Sequence, residues 1–330
     1  MSNNYGPKIV TDGLVLCLDA ADRNSYAVQP ELVTDSNLST IGDGNFRTCF
    51  RDASSEAGLN IGPIISGKTY QIIWNVAARR GTTSASFRKG FSVISGSTNA
   101  NFGIGLKHHV FTSDQTGTLR FYPDNTGCDF DVDYASLREY QPTINDLSGN
   151  LNNGTLGNGA VFNSYNGGAL VFDGNNDRIE CGTFSVPFLT VSTWVYKTTS
   201  TSNQGICRKQ NGWAVSNYQG VLQVAPGTAW QSFFNTGYTI PLNTWVNIVY
   251  TYSGTGATGS QAVYINGSSI YSTSAGSGAI SANANQVRVG YDDNNWFWNG
   301  RIAQTQIYNK ALTSQQILDN YRATKGRFGL

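Results

Sequence analysis

The chain has 330 residues, of which 13% are charged and 39% hydrophobic, and its formal net charge is +1. The charged share is about half that of an average soluble protein, so Ser, Thr, Asn and Gly must supply most of the polar surface. The densest basic cluster is only Arg79–Arg80 with Arg88–Lys89, which argues against nucleic-acid binding because a basic stripe is needed there. No signal peptide and no membrane insertion are predicted, since the N-terminus lacks basic and apolar segments and no run of 18 apolar residues occurs.

The predicted elements form two series of strands. Residues 8–19, KIVTDGLVLCLD, predict a buried strand, and AADRNSY turns out of it. From Glu31 to Gln141, strand-like segments with period-two alternation are separated by Gly and Ser turns. After Pro142 a second series follows at a spacing of about ten residues, which is typical of antiparallel sandwiches.

One segment near the C-terminus has the pattern of a helix. It covers residues 312–323, LTSQQILDNYRA, and Thr313 or Ser314 can cap its N-terminus. The fold class predicted from these patterns is therefore all-β with a short C-terminal helix.

The five cysteines do not form a recognisable metal or disulfide pattern. Their number is odd, and no two of them form a CxxC pair. The five are Cys17, Cys49, Cys128, Cys181 and Cys207. We interpret them as reduced, mostly buried thiols of a protein made in the cytoplasm.

Six segments after Pro142 match a known family in its own order. They are DLSGNLNNGTLGNGAVF, GGALVFDGNNDRIECG, LTVSTWVYK, NTWVNIVYTYSG, QAVYINGSSI and VRVGYDDNNWFWNGRIAQTQIYNKALTSQQI. Together they make residues 143–330 resemble a laminin G-like domain of the concanavalin A-like lectin/glucanase superfamily. In such domains a strand like GLVLCLDA directly precedes the DLSGN loop. Here that strand is residues 13–20, whereas the loop begins at Asp146.

The resemblance therefore implies two antiparallel β-sandwiches (jelly rolls), one inserted in the other. Residues 1–29 and 142–330 would form the laminin G-like sandwich. Residues 30–141 would form the insert, which resembles jelly-roll carbohydrate-binding modules through ELVTDSNLST, SGKTYQIIWNVA and DFDVDYASLREY. Loops between strands tolerate such insertions, and Asn and Gly supply the left-handed turns that the returning chain needs.

The pairing of these modules and the ending NYRATKGRFGL are similar to structural proteins of tailed bacteriophages. The resemblance implies a non-enzymatic virion protein, such as a decoration, fibre or tail-associated subunit, that is assembled in the host cytoplasm. Its partners would be other virion proteins, copies of itself in a trimer, and host cell-surface glycans. The alternative is a free or secreted lectin or adhesin. A glycan-cleaving enzyme is less favoured, because the superfamily's glucanases use two Glu flanking an Asp, whereas DFDVDY holds only Asp.

Loop aromatic and amide residues are the candidates for contact with carbohydrate or a neighbouring subunit. Trp rings stack on sugar C–H surfaces, and Asn side chains hydrogen-bond hydroxyl groups. The candidates are Trp296, Trp213, Trp230, Tyr291, Asn294 and Asn295. By family resemblance, Trp194 and Trp245 are core residues and Trp298 plugs the sandwich.

Five aspartates are candidates for structural calcium, since carboxylate oxygens are ligands that Ca²⁺ prefers. They are Asp131, Asp133, Asp173, Asp177 and Asp292. In modules like the insert, an Asp at the position of Asp133 helps to hold an ion, and Asp131 shares its strand face. The alternative is that these carboxylates are solvated groups at strand edges and turns.

Overall fold

The computed structural model is nearly all-β with a short C-terminal helix, which confirms the predicted fold class. It describes residues 8–27, 29–33, 35, 38, 47–51, 56–80, 85–89, 92–93, 104–123, 126–164, 168–200, 203–227, 233–254, 261–274, 280 and 282–330.

The strands are numbered in chain order. The first ten are β1 (Leu14–Asp19), β2 (Arg47–Arg51), β3 (Glu56–Ala57), β4 (Leu59–Ile64), β5 (Thr69–Arg79), β6 (Ala85–Lys89), β7 (Ser92–Val93), β8 (Gly105–Thr112), β9 (Gly117–Pro123) and β10 (Cys128–Glu139). The next nine are β11 (Thr143–Ile144), β12 (Gly154–Gly157), β13 (Val161–Asn163), β14 (Ala169–Asp173), β15 (Arg178–Glu180), β16 (Leu189–Lys197), β17 (Gln204–Lys209), β18 (Trp213–Tyr218) and β19 (Val221–Ala225). The last elements are β20 (Phe234–Asn235), β21 (Trp245–Tyr252), β22 (Gln261–Ile265), β23 (Ser268–Thr273), β24 (Val287–Val289), β25 (Tyr291–Asp292), β26 (Trp296–Phe297), β27 (Asn299–Tyr308), the helix α1 (Ser314–Thr324) and a 3-10 turn (Lys325–Phe328).

The chain separates into two compact units. Unit 1 comprises Met1–Ala27 and Pro142–Leu330, and unit 2 comprises Val28–Gln141. In sequence, unit 2 thus lies between the two segments of unit 1.

Unit 1 contains two antiparallel sheets. The first sheet has the order β13-β14-β27-β16-β21-β22-β23, with β1 also paired to β27, and the second has the order β11-β12-β15-β24-β17-β18-β19-β20. Leu18, Leu170 and Ile302 of the first sheet line the same small internal space as Ile144 and Ile179 of the second. The two sheets therefore pack face to face as a sandwich, with apolar side chains between them.

One edge of β27 is shared by two strands that are far apart in sequence. β1 pairs with residues 304–308 of β27, and β14 pairs with residues 299–302. The opposite edge of β27 is paired with β16. Since a strand has two edges, β1 and β14 follow one another along the same edge, and together they complete the sheet.

The Asn- and Gly-rich loop after β11 binds the backbone of β1. The Asp146 carboxylate accepts hydrogen bonds from the Cys17 and Asn152 backbone N–H groups, at 2.8 and 3.0 Å. The Asn152 side chain donates to the Val15 carbonyl at 2.8 Å. Nearby, the Asn145 backbone N–H donates to the Ser25 carbonyl at 2.6 Å. The polar side chains of this loop thus satisfy backbone groups of β1 that a neighbouring strand would otherwise satisfy.

Unit 2 also contains two sheets, with the orders β3-β2-β10-β5-β8 and β4-β9-β6-β7. Trp74 of the first and Phe121 of the second are buried, with ring centroids 5.7 Å apart. Cys49 and Phe130 pack in the same cluster as Leu119. The alternating apolar positions of β5, β9 and β10 therefore meet in one core, as period-two strands of a sandwich require.

The helix α1 begins one residue after Thr313, as the capping pattern predicted. Thr313 and Gln316 form a capping box, in which each side chain accepts a hydrogen bond from the other's backbone N–H. Ile317 is buried against Tyr308 and Leu312, which lie on the outer face of the first sheet. Among the described residues, no helix combines the length and apolar character needed to cross a membrane.

The predicted assignments of buried residues are also confirmed. Trp194, Trp245 and Trp298 are buried. All five cysteines are buried and free of disulfides. Burial raises the pKa of Cys17 to about 12, so this thiol stays protonated and unreactive at neutral pH.

The C-terminal turn folds back onto the outer face of the first sheet. The Phe328 ring stacks on Trp194 with ring centroids 4.1 Å apart and lies 4.8 Å from Trp245. Arg327 donates a hydrogen bond to the Asp19 carboxylate at 2.6 Å. Phe328 therefore packs within its own unit.

Replacing Phe328 with Ala should destabilise unit 1 by about 1–3 kcal/mol, because the ring loses its contacts with two tryptophans. Urea unfolding followed by tryptophan fluorescence would measure the change. Leu330→Ala is the control, since Leu330 is 43% exposed and its loss should change stability by less than about 0.5 kcal/mol. Equal unfolding midpoints for the Phe328→Ala variant and the unmodified chain would show that the turn does not stabilise the fold.

Candidate functional site

A hairpin formed by β25 and β26 lies on the outer face of the second sheet, directly over β17. The approach is close at Gly205, where a Cβ atom would come within 2.2 Å of the Asp292 backbone nitrogen. The hairpin pairs Tyr291 with Phe297 and Asp292 with Trp296. Its three-residue turn ends at Asn295, whose φ of 59° is the left-handed conformation that such loops require at this position.

A buried carboxylate anchors the hairpin to the sheet. Asp292 is 0% exposed. It accepts a hydrogen bond from the Arg208 guanidinium of β17 at 2.5 Å and one from the Ser216 hydroxyl of β18 at 2.6 Å. Because a buried charge is costly unless it is paired and hydrogen-bonded, these contacts fix the hairpin in one position.

The charges beside this anchor are balanced. The Asp293 carboxylate lies 3.0 Å from Arg208 and 3.1 Å from Arg288. Burial raises the pKa of Asp293, while the two guanidinium groups oppose that shift. Arg178 pairs with Glu180 at 2.8 Å. Among the described residues, three arginines therefore face three carboxylates on this part of the sheet, and their charges cancel.

An aromatic cleft lies at the end of the second sheet, where the hairpin meets β18 and β19. It is lined by Tyr218, Gln223, Phe233 and Trp296 and has a volume of about 180 Å³. The Tyr218 and Trp296 ring centroids are 5.2 Å apart, and the ring planes are inclined by 33°. The cleft offers aromatic faces and one amide, with no charged side chain among its described lining residues.

The other residues expected at a contact surface have different positions. Trp213 begins β18 and is 1% exposed, which corrects its assignment as a loop contact, because a buried ring cannot stack on a ligand. Trp230 lies outside the described residues. Tyr291 is half-buried, with its ring under the Arg288 guanidinium. Asn294 and Asn295 belong to the hairpin turn, and the Asn294 amide reaches toward Asp292 at 3.5 Å.

Sequence reasoning identified Trp296 but missed the three residues that complete the cleft. Tyr218 lies on the same face of β18 as Ser216, since the two are separated by two positions. Ser216 pairs with Gln223 across the strands. The alternation in WAVSNY could have assigned Tyr218 to the outer face. It could not have shown that Tyr218 approaches Trp296, which is distant in sequence.

The first pair of calcium candidates lies in unit 2, and its two members differ in their partners. Asp131 accepts hydrogen bonds from Arg80 at 2.6 and 2.7 Å and from Thr48 at 2.7 Å. Arg80 holds the pKa of Asp131 below its usual value. A guanidinium thus supplies a positive charge at this carboxylate, and calcium binding at Asp131 stays a prediction. Asp133 accepts a hydrogen bond from the Asn75 amide at 2.8 Å.

The remaining calcium candidates lie in unit 1. Asp177 is buried and accepts a hydrogen bond from the Asp173 backbone N–H at 2.9 Å. Asp173 accepts one from the Asn175 N–H at 2.8 Å, so both carboxylates stabilise the turn between β14 and β15. The carboxylate of Asp292 is paired with Arg208. Calcium binding at Asp133, Asp173, Asp177 and Asp292 stays a prediction.

A laminin G family model, described as Concanavalin A-like lectin/glucanases superfamily, matches residues 153–318. The chain belongs to this superfamily. The match contains the hairpin, its buried anchor and the aromatic cleft. No match was found among curated proteins.

Several solved structures are similar to part of this chain. Domain 4 of AbnA, an extracellular GH43 arabinanase from Geobacillus stearothermophilus in complex with arabinotriose, is 21% identical, with 53% of this chain and 91% of that chain covered and a TM-score of 0.45. The binding domain of Paraclostridial Mosquitocidal Protein 1 is 20% identical, with 54% and 49% covered and a TM-score of 0.45. The binding domain of botulinum neurotoxin serotype D is 20% identical, with 54% and 48% covered and a TM-score of 0.42. The chain spans about half the length of the two toxin binding domains.

Replacing Asp292 with Ala should destabilise unit 1 by about 3–5 kcal/mol, because it leaves the largely buried Arg208 without its closest carboxylate. The free energy of unfolding in urea is the measurement. Glu180→Ala is the matched control from the same array of charges, since Glu180 is 29% exposed and its loss should cost at most about 1 kcal/mol. Equal losses for the two variants would contradict the anchoring role of Asp292.

Proposed function

We propose that unit 1 binds a neutral glycan in the aromatic cleft. The observation that carries this proposal is the pairing of Tyr218 with Trp296 beside the Gln223 amide, at a half-buried position on the outer sheet face. Aromatic faces stack on the C–H surfaces of a sugar ring, and an amide can donate to and accept from its hydroxyl groups. The cleft is smaller than typical ligand pockets of ~300–1,000 Å³ and therefore suits a single sugar ring or the end of a chain.

The balance of charge around the cleft supports an uncharged ligand. Arg208, the arginine nearest the hairpin anchor, is paired with Asp292 and lies beside Asp293. An anionic sugar would have to compete with these carboxylates for the guanidinium. Neutral hydroxyl groups need no such competition.

The proposed role of the chain is binding without catalysis. A retaining glycosidase needs two carboxyl groups about 5 Å apart on either side of the sugar bond. The acidic groups nearest the cleft, Asp292 and Asp293, are both held by arginines beneath the hairpin. In unit 2, Asp129 and Asp131 share the single guanidinium of Arg80.

For the whole chain we propose a structural role in a bacteriophage particle, with host cell-surface glycans, other virion proteins and copies of itself as partners. The formal net charge of +1 supports packing against identical copies, because a high net charge would cause repulsion. Five buried cysteines that form no disulfide suit a protein made in a reducing compartment. The resemblance of unit 2 to carbohydrate-binding modules supports the proposal that both units bind glycans.

Replacing Trp296 with Ala should weaken binding of a neutral oligosaccharide by about 1–3 kcal/mol, roughly 5- to 150-fold in Kd, because one stacking surface is lost. A neutral-glycan array would identify the oligosaccharide, and calorimetric titration would measure its Kd. Phe297→Ala is the matched control, since this ring packs against Tyr291 in the same hairpin, 4.9 Å away, and does not line the cleft. An unchanged Kd for Trp296→Ala would refute the cleft as the binding site.

The proposed place in a virion predicts that the protein sediments with purified particles of the phage that encodes it. Quantitative mass spectrometry of gradient-purified particles should find it in a fixed ratio to the major capsid or tail protein. Recovery of the protein only in the soluble fraction of the lysate would instead favour a free lectin. Glycan binding by the cleft could still hold in that case, because the two experiments are independent.

A further inference from the structure

A long polar groove lies at the edge of the first sheet, away from the aromatic cleft. It has a volume of about 790 Å³ and runs between β21–β23 and the turn that leads into α1. Thr251 and Ser272 line it from the strands, and Thr313 and Ser314 line it from the turn. We call this feature the hydroxyl groove. We propose that it is a second binding site, for an extended neutral glycan chain, and that unit 1 is therefore bivalent.

The hydroxyl groove and the cleft lie on opposite outer faces of the sandwich. Val249 and Tyr264 pack against Leu312 and the helix, so they lie on the outer face of the first sheet. Thr251 follows Val249 by two positions on β21, and Ala262 precedes Tyr264 by two positions on β22. Both therefore share that outer face. The cleft is on the outer face of the second sheet, and the two inner faces pack together. Two ligands could therefore bind at once without contact.

The chemistry of the hydroxyl groove favours an uncharged ligand rich in hydroxyl groups. No acidic or basic side chain occurs among its described lining residues. Each Ser and Thr hydroxyl can both donate and accept a hydrogen bond, as a sugar hydroxyl can. Tyr264 is buried beside the groove, and its hydroxyl lies 2.9 Å from that of Ser314.

An anion is disfavoured even though a helix begins at this groove. Free N–H groups at a helix N-terminus attract anions, but here the capping box uses donors of the first turn. The Gln316 backbone N–H donates to the Thr313 hydroxyl at 3.2 Å, and the Thr313 N–H donates to the Gln316 side chain at 3.0 Å. No lysine or arginine among the described lining residues adds positive charge.

The size of the hydroxyl groove indicates a chain of several sugar units. Its volume of about 790 Å³ lies within the usual range for ligand sites, ~300–1,000 Å³, whereas the cleft holds about 180 Å³. This proposal shares its ligand class with the proposed function, but it rests on different residues and a different sheet.

Calorimetric titration of the full chain with cello-, malto- and arabino-hexaose tests the proposal through the number of molecules bound. The unmodified chain should bind two molecules of at least one of these hexasaccharides. Ala262→Arg places a long charged side chain on the groove floor and should reduce the number to one. Ser272→Trp, at an exposed position of β23 that pairs with Ala262, should have the same effect. Far-UV circular dichroism and retained binding at the cleft show that each variant is folded.

The outcomes separate this proposal from the proposed function. Trp296→Ala should weaken binding at the cleft about 5- to 150-fold and leave the second site at its original affinity, and its combination with Ser272→Trp should leave only the weakened site. If the chain binds one molecule and only Trp296→Ala weakens its binding, the cleft stands and the hydroxyl groove is refuted. If Ser272→Trp reduces binding and Trp296→Ala has no effect, the groove stands and the cleft is refuted. Absence of binding to all three hexasaccharides would overturn the second site.

Discussion

The pairing of β1 with β27 is the constraint on which the rest of unit 1 depends. It joins Leu14 to Tyr308 and Asp19 to Gln304, residues from opposite ends of the chain. The segment between β1 and β14 can include all of unit 2, because the entropic cost of closing a loop grows only slowly with its length. Whatever the length of this segment, β1 and β14 must still pair one after the other along the same edge of β27. The Asp146 loop supports this arrangement by satisfying backbone groups of β1.

Both outer faces of the unit 1 sandwich are partly covered by elements of the same chain. On the first sheet, α1 and the Phe328 turn cover the tryptophans of β16 and β21. On the second, the β25–β26 hairpin covers β17. The aromatic cleft and the hydroxyl groove each lie beside these covering elements, near the last strands of the sheet to which they belong. A half-buried position is what a binding aromatic residue such as Trp296 needs, since the fold holds the ring while one surface remains accessible.

Three ion pairs have clear structural roles. Asp292 and Arg208 hold a hairpin, Asp131 and Arg80 hold the start of β10 to the end of β5, and Asp19 and Arg327 hold the C-terminal turn. Carboxylates in loops and strand ends are easily interpreted as calcium ligands from sequence. In this protein, arginines distant in sequence pair with two of the candidates, Asp131 and Asp292.

The sequence by itself determined the features that depend on local chemistry and periodicity. Period-two alternation and Gly- and Asn-rich turns specified an all-β fold, and the Thr313 capping pattern specified α1. The family resemblance assigned Trp194 and Trp245 to the core, where burial of their hydrophobic surface stabilises the fold. Only the tertiary structure decided the partners that are far apart in the chain. Arg208 and Asp292 are 84 positions apart, and Tyr218 meets Trp296 only because Gly205 lets the hairpin lie against β17. Such pairings follow from how strands are ordered across a sheet, which the local pattern of a single strand does not encode.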